Sequence, residues 1–515
     1  MAETLKKINV NNIKKSLGDP ADLIIRSITL NLNDKKLNCS LVFIAGIVNE
    51  SDIENFIIRP LQRVSPTTQV INLMAVMEKE MIQVKSVAVI QLYKDALKDL
   101  LNGKTLILLE DIEDVLVVDT SSWKERSLTE AEGQRVAKGP LIGFNENLAT
   151  NIAIMRKALK NEQLRLENYT FGSETNTDIC VIYLDNIVDK EILAELNNRL
   201  AKIETSKILD ANYIEEYIRD QFLTPFPLVL TTDRPDVVTG EITDGKIGIL
   251  IEGSPYALVV PALFLQFLQS PDDYYFVNGG VTRLLRILAL AMAIYLPAYY
   301  LAFVTYHPGL LPFDLVLSLA SQREGKPLPL VVELLLFMFL FQIIIEGALR
   351  LPKGLVSVVS IVGTIIIGQS AVEAGLVQPA TLLVVSMSYI FSFVAPIITL
   401  ATAVRTLRYG FIIIAAFLGL YGIILATLAL TFHLNHLRSF GVPYFAPLFP
   451  FNLKDQKDAI YRFPLDKLSN KHQFQHEEFV RKKKRLIKDR KHDENIRYYY
   501  IPFVVCGTFS WQHKS

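Results

Sequence analysis

The chain has 515 residues, half of them hydrophobic, with 53 basic and 53 acidic side chains and no formal net charge. That balance argues against nucleic acid as a partner, because neutralising several phosphates needs a surplus of Lys and Arg on one surface. Cys39, Cys180 and Cys506 are too scattered for a disulfide framework or a metal site of known spacing, and read as reduced, buried thiols.

Residues Met1 to Gly18 mix lysine with asparagine and lack the apolar core of a secretory signal, so the soluble region is expected to stay unexported. Up to about Asp273 the composition is that of an ordinary globular protein. From Ile287 to Phe432 charged residues nearly vanish.

Within the globular part, Leu41 to Val48 is an apolar run followed by Asn49 and the amphipathic stretch Ser51 to Arg59. That pattern predicts a strand feeding a capped helix. Val181 to Val188 followed by Asp189 to Leu196 repeats it. Leu106 to Asp119 likewise matches Gly248 to Pro261, each reading as a hairpin across a tight polar turn. Both pairs recur at a spacing of about 140 positions, as an internal duplication would. The fold class expected is therefore α/β plus membrane α-helical. A first soluble α/β domain spans 1–120, a helical linker 121–178, and a related second α/β domain 179–275. A helical pattern from Asn145 to Leu166 occupies the linker.

The transmembrane domain is expected over 276–440, as a bundle of four to five helices. A hydrocarbon core of about 30 Å needs roughly 20 apolar residues in a helix. The spans read as 287–304, 354–372, 379–404 and 409–432, with 328–347 either a fifth span or re-entrant because it contains Glu333. A carboxylate near a span end can reach the headgroups, so Glu333 is tolerable there. Arg283, Arg286, Arg350, Lys353, Arg405 and Arg408 flank the spans and place the soluble domains inside. Arg323 and Lys326 oppose that reading. Five crossings put the tail outside and four strand Arg405 and Arg408 there, so the charges leave the number of spans open. Residues 441–515 form a basic tail containing Arg481-Lys-Lys-Lys-Arg485, read as a solvated charged helix or an electrostatic membrane contact.

One helix face in the third hydrophobic segment is small or weakly polar: Ser357, Ser360, Thr364, Gly368 and Ala371 follow spacings of three and four, with Gln369 and Glu373 near its end. Such a face suits an ion path. The same spacing also lets helices pack closely, and both readings stand. Glu333 and Glu346, with Glu373, could attract cations at a mouth, or could simply face headgroups. Asp233-Arg-Pro-Asp236 reads as a salt-bridged turn. His433 and His436 have no carboxylate or cysteine spaced to complete a ligand set. No phosphate-binding glycine loop, nucleophile elbow or metalloprotease helix occurs. No catalytic, cofactor-binding or metal residue is therefore assigned, and an enzyme is not expected.

Several motifs in order carry a resemblance. Ser360-Ile-Val-Gly-Thr-Ile-Ile-Ile-Gly-Gln-Ser-Ala-Val-Glu-Ala-Gly-Leu-Val-Gln-Pro379 stands among Asp233-Arg-Pro-Asp236, Phe267-Leu-Gln-Ser-Pro-Asp-Asp-Tyr-Tyr275, His307-Pro-Gly-Leu-Leu-Pro312, Arg323-Glu-Gly-Lys-Pro-Leu-Pro329 and Arg350-Leu-Pro352. From about Asp111 to Pro464 the chain resembles the GerA family, the A-type subunits of spore germinant receptors. It departs where the family reads Arg-Gly-Pro-Arg-Glu-Gly-Phe and this chain has Lys138-Gly-Pro-Leu-Ile-Gly-Phe144, and again where Phe341-Gln-Ile-Ile-Ile-Glu346 replaces a more charged segment. The resemblance implies a multi-pass protein of the bacterial cell membrane or inner spore membrane, with the soluble domains facing the cytoplasm or spore core. It implies a B-type transporter-like partner, a C-type lipoprotein partner, and a homo-oligomer in membrane lipid, taken as a pentamer, that forms a channel releasing monovalent cations when nutrient binds. The alternatives are a non-conducting scaffold subunit that docks partners and a solute transporter component.

Overall fold

The computed structural model describes residues 7–32, 35–62, 73–82, 84, 86–110, 112–122, 129–275, 279–348, 350–352 and 368–449. The first sheet region runs α1 (Val10–Leu17), β1 (Leu23–Leu32), β2 (Lys35–Ile44), α2 (Glu50–Ile53) continuing to Arg59–Gln62, and α3 (Leu73–Val76). It continues with β3 (Val87–Ile90), α4 (Tyr93–Leu101), β4 (Thr105–Leu109) and β5 (Val115–Val118). The second runs α5 (Leu148–Ala158), β6 (Leu164–Phe171), β7 (Thr177–Leu184), α6 (Lys190–Leu200), α7 (Ala211–Ile218), β8 (Leu230–Thr232), α8 (Pro235–Thr243), β9 (Ile247–Ile251) and β10 (Ala257–Val260).

Element for element the two successions are the same. Both sheets are antiparallel, ordered β1-β2-β4-β5-β3 and β6-β7-β9-β10-β8. The predicted caps form: Asn49 accepts from Ser51 N at 3.1 Å and Asp189 accepts from Glu191 N at 2.8 Å, satisfying amide donors that a first turn leaves unpaired. The helical reading from Asn145 to Leu166 needs correction, because α5 stops at Ala158 and Leu164 opens strand β6. Alternating burial along Leu164–Phe171 explains the strand, since only one face of this edge strand is covered.

In the first copy both faces of the sheet are covered. Leu41 and Phe43 pack with Ile53, Ile57 and Leu61 on one side, whereas Val42 and Ile44 pack with Ala96, Leu97 and Leu100 on the other. Two covered faces are why its central strands read as continuous apolar runs. Burial pushes the Cys39 thiol up to about 12, and Cys180 is buried in the second copy. Helix α5 ties the copies together: Arg156 makes a two-pronged ion pair with Asp22 at 2.7 and 2.9 Å, and Ala153 enters the first copy's core.

The apolar half contains α9 (Gly279–Thr305), α10 (Phe313–Arg323), α11 (Leu330–Ala348), α12 (Pro379–Ser392) and α13 (Ile398–His436). Among the described residues, Gly280–Thr305, Leu330–Ala348 and Ile398–His436 are long and apolar enough to cross a membrane. The stretch 328–347, read as either a fifth span or re-entrant, is one continuous helix, α11, with the length of a span. The expected spans 379–404 and 409–432 are divided elsewhere: α12 ends at Ser392, Pro396 lies in the break, and α13 runs through the supposed gap. Pro396 cannot continue a helix by donating its amide, so the break falls there. Most of the expected span 354–372 lies outside the described residues, and 368–373 is helical.

Helix α13 turns back on itself at Gly419, whose φ of 59° and ψ of −139° are non-helical. A Cβ on Gly422 would lie 2.8 Å from the Ile414 carbonyl oxygen, a contact impossible along a straight helix. Only glycine adopts the Gly419 backbone cheaply. The Tyr306 ring fills the bend and its hydroxyl donates to the Ala416 carbonyl, a group the broken helix leaves free. Both ends of α13 therefore return to the second α/β copy: Leu400, Ala403 and Val404 share one core with Leu434, Leu437 and Tyr444.

Candidate functional site

The junction between the second copy and the bundle is built from buried ions. Asp273 is fully buried and binds Arg283 at 3.2 Å and Arg286 at 3.1 Å, both on the first turns of α9. Sequence reading took these arginines for interface charges that flank a span. The structure corrects this, because they are held inside by a carboxylate that offsets their desolvation. Beside them Arg234 is buried and grips Asp236 with two prongs, at 3.0 and 2.7 Å. It also donates to the carbonyls of Gln134 and Pro140, while Asp233 accepts from Gly133 N at 2.6 Å. The salt-bridged turn expected at Asp233–Asp236 thus also clamps the segment ending at Phe144. A cavity of about 320 Å³ opens here, lined by Asp236, Glu241, Asp244, Gln266, Gln269 and Ile397 among others.

On the C-terminal side, Ser439 Oγ donates to the Leu228 carbonyl at 2.8 Å and accepts from Ala262 N at 3.0 Å. His433 Nε2 lies 3.0 Å from Thr224 Oγ1. His433, which the sequence offered no ligand set to complete, thus tethers the end of α13 to the Thr224 segment. Among the described residues no group of three His, Cys, Asp or Glu side chains could hold a metal ion.

Two polar clusters lie inside the apolar helices. Glu333, on the first turn of α11, is fully buried; its Oε2 accepts from Thr381 Oγ1 at 3.2 Å and from Gln378 N at 3.4 Å. Tyr300 of α9 places its hydroxyl 3.3 Å from Thr381 Oγ1 and 3.4 Å from Gln378 Oε1. The second cluster centres on Arg408, fully buried, which donates to Ser388 Oγ at 2.9 Å and stacks 3.9 Å from the Tyr389 ring centroid. Tyr389 in turn donates to the Met338 carbonyl at 2.6 Å. Both clusters bear on the sequence reading: Glu333, read as facing headgroups or a cation mouth, and Arg408, read as a charge flanking a span, are each buried inside the chain. Hydropathy could not reveal them, because which way a residue points around a helix depends on neighbouring helices.

The other predicted residues scatter. Ser357, Ser360 and Thr364 lie outside the described residues. Gly368 and Ala371 are buried, and a Cβ on Gly368 would meet Leu382 at 3.2 Å. Gln369 and Glu373 are exposed. Glu346 is exposed and pairs at 2.8 Å with Arg350, four residues on and just past the end of α11.

With this geometry in hand, similarities to known proteins can be placed. The family described as "Bacillus/Clostridium GerA spore germination protein" matches residues 11–474. The chain is 38% identical over 458 residues to spore germination protein KA of Bacillus subtilis, covering 88% of this chain and 84% of that one. It is 33% identical over 467 residues to spore germination protein GerLA of Bacillus cereus, covering 90% and 94%. Among solved structures it is similar to the N-terminal domain of the A subunit of the Bacillus megaterium spore germinant receptor GerK3. There the identity is 31%, the TM-score 0.41, and the match covers 51% of this chain and 98% of that domain.

Proposed function

The chain belongs to the GerA family of spore germination proteins, and from that premise we propose that it is the A-type membrane subunit of a spore germinant receptor and forms, with copies of itself, a nutrient-gated path for monovalent cations. Its B-type and C-type partners would sense nutrient and complete the complex, and a pentamer is the assembly we favour. The observation that carries the proposal is the two-sidedness of residues 368–373. Gly368 and Ala371 turn into the chain's own bundle, whereas Gln369 and Glu373 turn out of it. A polar face left uncovered on an apolar segment suits an axis where copies meet around water. By their spacing Ser357, Ser360 and Thr364 share the face of Gly368 and Ala371, so the lining proposed here is the face of Gln369 and Glu373, and the set first read as one pore face divides between packing and lining.

Sidedness supports the orientation. Helix α13 leaves the second copy and returns to it, and Arg405 lies toward that end, so basic residues gather where the soluble domains are. An excess of Lys and Arg favours the cytoplasmic side, here the spore core. The test is potassium release from spores on nutrient addition. Gln369→Phe, which places an apolar ring where an exposed amide stood, is expected to cut release at least ~10-fold, since bulky apolar groups close pores by dewetting. Glu373→Gln is expected to slow it by less. Unchanged release from receptors assembled at normal levels would remove the conduction reading and leave the scaffold reading, which the close packing of Gly368 on Leu382 favours.

A further inference from the structure

Glu333 poses a problem that the described residues do not solve. Its carboxylate has no exposure, sits between three apolar helices, and forms no ion pair among the described residues. One oxygen, Oε1, is buried without a hydrogen-bond partner, and so is Nε2 of Gln378, which is also fully buried. An uncompensated carboxylate in such surroundings costs several kcal/mol, so the site among the described residues calls for one compensating positive charge.

The neighbouring atoms say what kind of group that is. Glu333, Gln378, Thr381 and Tyr300 turn side-chain oxygens toward one another at 3.2 to 3.4 Å. Those separations exceed the ordinary O–H···O distance of about 2.7–2.8 Å, which leaves the cluster loose as a hydrogen-bond network. They suit oxygens held apart around a small hard ion, the ligand type that ions without soft preferences select. A single carboxylate balances a single positive charge. A divalent ion would leave one charge bare among apolar helices. The unpartnered amide nitrogen of Gln378 leaves a donor for one water that completes the shell.

We propose that Glu333, Gln378, Thr381 and Tyr300 form a binding site for one largely dehydrated alkali-metal cation, which pins α9, α11 and α12 together. The site lies within one chain and does not rest on conduction: a scaffold subunit could hold the same ion. Binding is therefore measured on the isolated full-length chain in nanodiscs and conduction on the assembled receptor, so that failure of one is distinguishable from failure of the other.

The experiment is equilibrium binding of radioactive sodium, paired with thermal unfolding in sodium, potassium or N-methyl-glucamine chloride at equal ionic strength. The wild-type chain is expected to bind ~1 sodium saturably and to unfold at higher temperature in an alkali salt, by the linkage of ligand binding to stability. Glu333→Gln is expected to abolish both effects. If that variant does not fold, Thr381→Val is expected to weaken binding by ~10-fold, the loss of one oxygen ligand at about 1.4 kcal/mol. Absence of saturable sodium binding by the wild-type chain overturns the proposal. So does an unfolding temperature that responds to pH alone and equally in all three salts, which would make the partner of Glu333 a proton.

Discussion

The two α/β copies share every element and their strand order, yet they bury different things. The first covers both faces of its sheet with helices of its own, Ala153 of α5 being added to one of those cores. The second opens one face to the bundle: Leu230, Ala257 and Val259 share a core with Leu290, Ala293, Leu400, Val404, Leu434 and Tyr444. Duplication supplied one scaffold twice, and the second copy became the plate on which the membrane helices stand. The strands of the second copy share a core with α9 and both ends of α13, whereas the first copy touches the second through α5, the Arg156–Asp22 pair and the Arg165 hydrogen bond to the Leu17 carbonyl.

The most damaging way to break this comparison is at the joint. Asp273→Ala strands two buried arginines and is expected to destabilise by ~3–5 kcal/mol, the usual cost of removing one partner from a buried pair. Denaturant unfolding should show the second copy and the bundle failing together, while the first copy holds. Matched cavities sharpen it. Phe267→Ala in the shared core should cost ~3–5 kcal/mol and Leu41→Ala in the first copy ~2–5 kcal/mol. Amide hydrogen exchange should then quicken in α9 and α13 for the first variant and stay unchanged there for the second. Equal acceleration of the bundle by both would erase the distinction between the copies. The smallest effect belongs to the fully exposed Lys7–Glu113 pair at 2.7 Å: Lys7→Ala should leave unfolding unchanged, because such pairs contribute little in water.

Much of the soluble half was legible because its signals are local. Leu106 to Leu109 read as an apolar strand since both its faces are buried, and Asn49 and Asp189 announced helix starts through their capping chemistry. The strand β6 was hidden because the helical pattern that ends at Ala158 was carried on to Leu166, although Leu164 and Leu166, two apart, alternate as a strand does. In the membrane half, composition gave the apolar stretches but not their ends. Pro396 marked a true break and Pro297 did not, since α9 runs through it. The reversal at Gly419 has no charge or polar residue beside it, so hydropathy passes over it. The burial of Glu333, Arg283 and Arg408 depends on which neighbour each side chain meets, and only packing decides that. The face carrying Gly368 and Ala371 was readable as a set, but its direction was not.

The measurement that bears most directly on the proposed role is nutrient-triggered potassium efflux from liposomes holding this chain together with the B-type and C-type partners proposed for it. Efflux is expected on nutrient addition only when this chain is present, and it should fall sharply with Gln369→Phe. Efflux of equal size from vesicles made with the partners alone would contradict it.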